Sequence, residues 1–179
     1  MKYKFKIIYI LRKIFLSIYF KIDRVGCSRL IGVTIGENCK IYGGNIDMWG
    51  TEPFLIEIGD NVHITDGCKF INHDGGTLIL RRFDPTLEIT DKIKVGNHVY
   101  LGIDTLVLPG VIIGDNVIVG ARSIVTRSLL PDSVYVGSPA KFVRTVDDYL
   151  KRISEKSLGI GNLSADEKEM QLKEIFRDD

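Results

Sequence analysis

Cysteine is scarce in this chain of 179 residues: Cys27, Cys39 and Cys68 are all there are. Their number is odd and no two form a CxxC pair, which excludes a disulfide framework or a zinc knuckle as the basis of the fold. A reduced, cytoplasmic setting is the expectation. Proline is rarer than glycine by 5 to 18, so the chain is no proline-rich linker. Charge of one sign is missing too. Lysine and arginine number 24 against 23 acidic residues, and a net charge of +1 gives the whole molecule no field for nucleic acid. A long uninterrupted apolar run is also absent. Ile7–Phe20 comes nearest, but Arg12 and Lys13 break it and it is too short to span a bilayer. No small-residue cleavage site follows it, so it does not read as a signal peptide.

What the chain does contain is a repeat. Stepping in sixes from Val95 gives Leu101, Val107, Ile113, Val119 and Val125, all aliphatic. Four residues after each lie Val99, Thr105, Val111, Val117, Ser123 and Leu129, small or apolar without exception. Upstream, Ile58, Ile64 and Phe70 form a second ladder, with Val62, Cys68 and then Asp74 at the plus-four place. Asp74 breaks the rule where that ladder ends. Glycine often follows the leading aliphatic, and four turns look alike: Ile35-Gly-Glu-Asn38, Ile58-Gly-Asp-Asn61, Val95-Gly-Asn-His98 and Ile113-Gly-Asp-Asn116.

A period of six fits neither a helix nor a strand pair. It fits a coil of three short flat strands, each sending one aliphatic side chain inward, with Gly and Asn supplying positive φ at the corners. Stacked coils bury a column of aliphatics. Cys39 and Cys68 fall at small inward positions, where packing is their expected role. The spacing runs from about Ile31 to Arg144 with two disturbances. Residues 43–57, with Trp49 and Pro53, are irregular, and residues 72–92 read as a loop leaving the coil. Beyond Arg144 the pattern turns helical, first over Val146–Ile153. Ser164-Ala-Asp-Glu167 is a capping-box signal for a second helix reaching about Phe176. Three regions result: a basic, apolar helical segment over 1–30, the coil over 31–144, and a helical extension over 145–179.

The segments Ile58-Gly-Asp-Asn-Val-His63, Asn72-His-Asp74, Val99-Tyr-Leu-Gly102, Leu108-Pro-Gly-Val-Ile-Ile-Gly-Asp-Asn116, Val119-Gly-Ala-Arg-Ser-Ile-Val-Thr126 and Val136-Gly-Ser-Pro-Ala-Lys141 with Arg144 carry a resemblance. The chain resembles the hexapeptide-repeat acyltransferases, in particular the maltose, galactoside and capsular-polysaccharide O-acetyltransferases. The resemblance implies an all-β fold, a left-handed parallel β-helix flanked here by N- and C-terminal helical extensions. It implies a homotrimer with acetyl-CoA as donor co-substrate in a groove between subunits, and no metal. The acceptor it implies is a carbohydrate hydroxyl, on a nucleotide- or lipid-linked sugar, in surface-polysaccharide biosynthesis.

Carried over by position, the resemblance makes His73 the general base. A sugar hydroxyl attacks a thioester poorly until a neutral imidazole takes its proton. Asn72 and Asp74 are candidates to orient the ring or touch acceptor hydroxyls. Tyr100, Ile103, Ala121, Thr126, Arg127, Lys141 and Arg144 match the donor-binding positions. Arg127 stands where many relatives have lysine, and Tyr100 where tryptophan is common. Two rival readings stay open: an amino or non-sugar acceptor such as an amino nucleotide-sugar or serine, and a non-catalytic β-helix scaffold.

His63 and His98 raise the metal-dependent carbonic anhydrase relatives. Against that, the three histidines lie 10 and 25 residues apart, and His98 occupies a turn slot that holds Asn elsewhere. Residues 1–24 carry seven basic groups against Asp23 alone, an excess of six that leaves the remainder at −5. Residues 1–22 therefore read either as an anchor lying on an anionic membrane at its inner face, or as a helix capping the open end of the coil.

Overall fold

The computed structural model describes residues 2–177, with side chains described from Ile8 onward. The chain divides into two compact units, Met1–Val146 and Asp147–Asp179. In the first, the hexads form β1 (Thr34–Ile35), β2 (Lys40–Ile41), β3 (Ile56–Ile58), β4 (His63–Ile64), β5 (Lys69–Phe70), β6 (Ile93–Val95), β7 (Tyr100–Leu101), β8 (Leu106–Val107), β9 (Ile112–Ile113), β10 (Val117–Val119) and β11 (Ile124–Val125). Strands recur in turn on three parallel sheets, one joining β1, β3, β6 and β9, another β2, β4, β7 and β10, the third β5, β8 and β11. Lys94 pairs with Ile112, Tyr100 with Ile118 and Leu106 with Ile124, so one coil takes 18 residues. The result is a three-sided parallel coil.

The register also explains both disturbances. Glu57 pairs with Lys94, His63 with Tyr100 and Lys69 with Leu106, a step of 37. The surplus of 19 residues leaves the coil as the loop, and one residue beyond three sixes shifts the hexad phase. One coil earlier the step is 23, from Thr34 to Glu57 and from Lys40 to His63. The five extra residues are taken up by two 3-10 turns, Ile46–Trp49 and Pro53–Leu55. The irregular stretch expected over 43–57 thus ends at Leu55, since Ile56 already belongs to β3.

The two ladders stack on each other. Ile58, Val95 and Ile113 lie in one column, Ile64, Leu101 and Val119 in the next, Phe70, Val107 and Val125 in the third. All nine are buried, each worth roughly 1.5–3 kcal/mol relative to exposure. The polar plus-four residues fit because they bond locally. Thr105 Oγ1 donates to the Gly102 carbonyl and Ser123 Oγ to that of Gly120, both at 2.6 Å. Cys68 is buried as expected, and burial pushes its thiol pKa up. Cys39 is only half-buried, because it lies on the first coil with none beneath it. Corner glycines let coils approach closely: a Cβ on Gly102 would stand 2.5 Å from the Ala121 nitrogen. Asn38, Asn61, His98 and Asn116 all hold φ of 55–56°, a left-handed value that Asn and His tolerate better than branched residues. His98 is thus a corner residue.

The N-terminal segment is two helices, α1 (Lys2–Ile22) and α2 (Arg24–Leu30). Sequence reading had not separated them. Asp23 makes the break, its carboxylate accepting from Gly26 N at 2.8 Å as the N-cap of α2. α2 closes the end of the coil. Phe20, Cys27 and Val33 join the core, and Arg29 forks onto the carbonyls of Ile35 and Gly36. Trp49 is fully buried, stacks on Phe70 with centroids 4.8 Å apart, and donates to Ser28 Oγ at 2.8 Å. The capping reading therefore holds for the end of α1 and for α2.

At the other end β12 (Ser133–Val136) extends the second sheet, and β13 (Lys141–Thr145) folds back antiparallel onto it. In the second unit α5 (Ala165–Ile175) opens with the expected capping box, Ser164 and Glu167 bonding reciprocally. All of α4 (Val146–Ser154) but its first residue belongs to the second unit; α3 is the short helix Thr77–Leu80 within the loop.

Candidate active site

His73 stands three residues beyond β5, at the neck of the loop. Backbone pairing zips that neck shut: His73 bridges Thr90, Asp74 N donates to Ile89 O, and Asp91 N to Asn72 O, each of the latter two at 2.9 Å. The ring is thereby held against a rigid coil. Its Nδ1 faces the Glu52 carboxylate at 3.2 Å and Thr51 Oγ1 at 3.1 Å. Thr51 Oγ1 itself donates to Glu52 Oε2 at 2.6 Å. A carboxylate only accepts, so the arrangement suits the neutral tautomer with its proton on Nδ1 and Nε2 as the acceptor. The Nε2 atom is the one that can take a proton from an attacking hydroxyl.

Thr51 and Glu52 lie between the two 3-10 turns of the preceding coil, and sequence analysis missed both. The available signal was the repeat itself: an insertion one coil from the loop brings its residues beside the loop neck. Asn72 holds this segment from behind. It is fully buried, and its Nδ2 donates to the Glu52 carbonyl at 2.5 Å. Asn72, a candidate to orient the ring or touch the acceptor, thus has no exposed surface in the protomer and reaches His73 only by way of Glu52. Its Oδ1 is buried without a partner among the described residues. The hydrogen bonds of Asp74 go to the loop rather than to the ring. Its Oδ1 accepts from Gly76 N at 2.8 Å and its carbonyl from Thr77 Oγ1 at 2.9 Å, which starts α3.

His73, Thr51, Glu52 and Asp74 line a cleft of about 280 Å3, walled on its far side by Leu78, Arg81 and Glu88. Arg81 pairs with Glu88 and donates through Nε to the Leu87 carbonyl at 2.8 Å, which ties the two sides of the loop together. The cleft is small for a whole nucleotide co-substrate.

The other singled-out residues lie elsewhere. Arg127 and Lys141 come together on a second cleft of about 350 Å3, with Leu130, Tyr135 and Phe142. Ile103 and Ala121 stack on one corner of successive coils, where Arg122 N donates to the Ile103 carbonyl. Tyr100 points outward from β7 beside His63, and Thr126 and Arg144 line neither cleft. None of the seven reaches the His73 cleft within one protomer. His63 is engaged by Tyr42, whose hydroxyl lies 2.7 Å from its Nδ1. Among the described residues no three His, Cys, Asp or Glu side chains converge as metal ligands.

Residues 92–127 match the family described as bacterial transferase hexapeptide (six repeats). Over 169 residues the chain is 37% identical to Protein CapG of Staphylococcus aureus, covering 94% of this chain and 98% of that protein. The chain belongs to the hexapeptide-repeat transferase family. It is similar in structure to a maltose O-acetyltransferase from Clostridium difficile 630, with a TM-score of 0.52 and 27% identity over 68% of this chain and 74% of the other. A galactoside acetyltransferase in complex with coenzyme A matches with a TM-score of 0.52 and 26% identity, over 79% of this chain and 82% of that one. Within the family this chain is an acetyltransferase.

Proposed function

We propose that the protein moves an acetyl group from acetyl-CoA to a hydroxyl of a carbohydrate, with His73 as general base. The observation that carries this reading is the Glu52-held imidazole with a free Nε2 in a cleft on a rigid coil. The acceptor oxygen attacks the thioester carbonyl carbon as Nε2 takes its proton. The tetrahedral intermediate collapses, the C–S bond breaks, and the departing sulfur receives the proton back. The products are the O-acetyl ester and CoA, with no acyl-enzyme. Such a base is worth ~10²–10⁴ in rate.

The donor residues Tyr100, Ile103, Ala121, Thr126, Arg127, Lys141 and Arg144 lie away from His73 in one protomer. A homotrimer reconciles this, with acetyl-CoA in a groove whose catalytic side comes from one subunit and phosphate-binding side from the next. Arg127 and Lys141 suit phosphates, one by a planar fork and the other as a point charge. The family points to a left-handed coil. Asp74, Arg81 and Glu88 face the acceptor in the same cleft, and hydrogen-bonding side chains of this kind suit sugar hydroxyls. A nucleotide- or lipid-linked sugar, handled at the inner face of the membrane in surface-polysaccharide synthesis, is the setting this reading favours.

The test is calorimetric titration with acetyl-CoA, followed by CoA release across a panel of nucleotide sugars and glycans. Micromolar donor binding and release with a sugar hydroxyl support the proposal. Release only with amines moves the acceptor class, and absence of donor binding at millimolar ligand ends the acetyl-transfer reading.

A further inference from the structure

Only the last turn of α1 is used by the core. Leu16, Tyr19 and Phe20 pack inward, while Leu11, Ile14, Phe15, Ile18 and Ile22 are exposed, Ile22 to 79%. At 100° per residue these five fall in one stripe roughly 100° wide, on the side away from the coil, while the exposed Ile8, Tyr9 and Ile10 lie outside it. A contiguous apolar face of that length on the surface calls for an occupant.

Charge decides which. Arg12, Lys13 and Lys21 are exposed on the same helix, Lys21 at the edge of the stripe, Arg12 farther round and Lys13 across from it, and the sequence adds Lys2, Lys4 and Lys6 ahead of them, with Asp23 as the one acid up to Arg24. The same face of a second copy laid on it would bring an equal excess of cations, with Asp23 as the one acidic side chain of the segment to offset them. Anionic headgroups would neutralise the same charges while the apolar stripe enters the boundary of the acyl chains. Among the described residues no helix is long and apolar enough to cross a membrane. We infer that α1 is an in-plane anchor for an anionic bilayer, seated through Leu11, Ile14, Phe15, Ile18 and Ile22 and attracted by the net positive charge to which Arg12, Lys13 and Lys21 contribute. This contact needs no turnover, so it stands or falls apart from acetyl transfer.

The experiment is flotation of the full chain with vesicles of phosphatidylcholine, with or without phosphatidylglycerol, alongside sedimentation velocity. The expected result is binding to the anionic vesicles alone, weakened by salt. The Arg12→Gln/Lys13→Gln/Lys21→Gln variant should bind on the order of a hundredfold more weakly. The Leu11→Ser/Ile14→Ser/Ile18→Ser variant, altered only at exposed positions, should keep its circular dichroism and oligomeric state and lose vesicle binding. Absence of binding to anionic vesicles overturns the inference. So does a fall in oligomeric state in the serine variant, which would assign the face to a second copy.

Discussion

The Glu52 carboxylate and the His73 imidazole meet at 3.2 Å although 21 residues separate them. The coil makes the pair: the chain leaves Glu52 in one turn of the solenoid and comes back beside it at the neck of the loop in the next. Replacing Glu52 should therefore act through the ring. A hydrogen bond to a charged group is worth about 1.5–3 kcal/mol, so Glu52→Leu should lower kcat roughly tenfold to a hundredfold with the KM for acetyl-CoA unchanged. His73→Ala should lose ~10²–10⁴ in kcat. The double variant should be no worse than His73→Ala alone, because Glu52 has nothing to orient without the ring. Additive losses in steady-state assays would show that Glu52 acts some other way.

Arg127 and Lys141 share a cleft that His73 does not reach. Arg127→Ala and Lys141→Ala should each weaken acetyl-CoA binding roughly tenfold to a hundredfold, the loss of one charge-assisted contact. His73→Ala should leave the dissociation constant within about twofold. Calorimetry separates these cases, and equal affinity in all three variants would place the donor elsewhere.

Leu101 lies between Ile64 and Val119 in the middle column with no exposed surface. Leu101→Ala leaves a cavity that the coils above and below hold open, and should cost about 2–5 kcal/mol. Denaturant unfolding measures this; a change below about 0.5 kcal/mol would mean the column can collapse into the gap.

The thiols give a pH-linked reading of the same core. Desolvation by burial raises the pKa of Cys68 and Cys27 above the usual thiol value. Less thiolate is then present at neutral pH, and reaction with alkylating reagents is slow. Cys68 should label in denaturant and resist labelling in the native protein, with the half-buried Cys39 reacting first. Mass spectrometry of a timed iodoacetamide reaction identifies the order, and rapid native labelling of Cys68 would contradict its place in the core.

Much of the coil was legible because a solenoid repeats its local geometry. Val95, Leu101 and Val107 announce the inward positions, and the Asn and His corners announce the left-handed φ, since each is a local demand renewed every six residues. The loop was legible as a phase slip, and the C-terminal helix through its capping box. The break at Asp23 and the antiparallel return of β13 were not legible, since both depend on what the segment packs against. Glu52 escaped for the same reason. Nothing near it in sequence marks it as a partner of His73.

The sequence by itself determined the period, the inward column, the position of the loop and the histidine at its neck, because those follow from side-chain pattern alone. Tertiary structure alone decided which carboxylate faces that histidine and which nitrogen it leaves free. It also decided that Asn72 is buried, that α2 closes the coil, and that the outer face of α1 is left without a partner in the protomer. Those outcomes depend on the register between coils. That register is set by how many residues each turn inserts, and it acts between residues far apart in the chain.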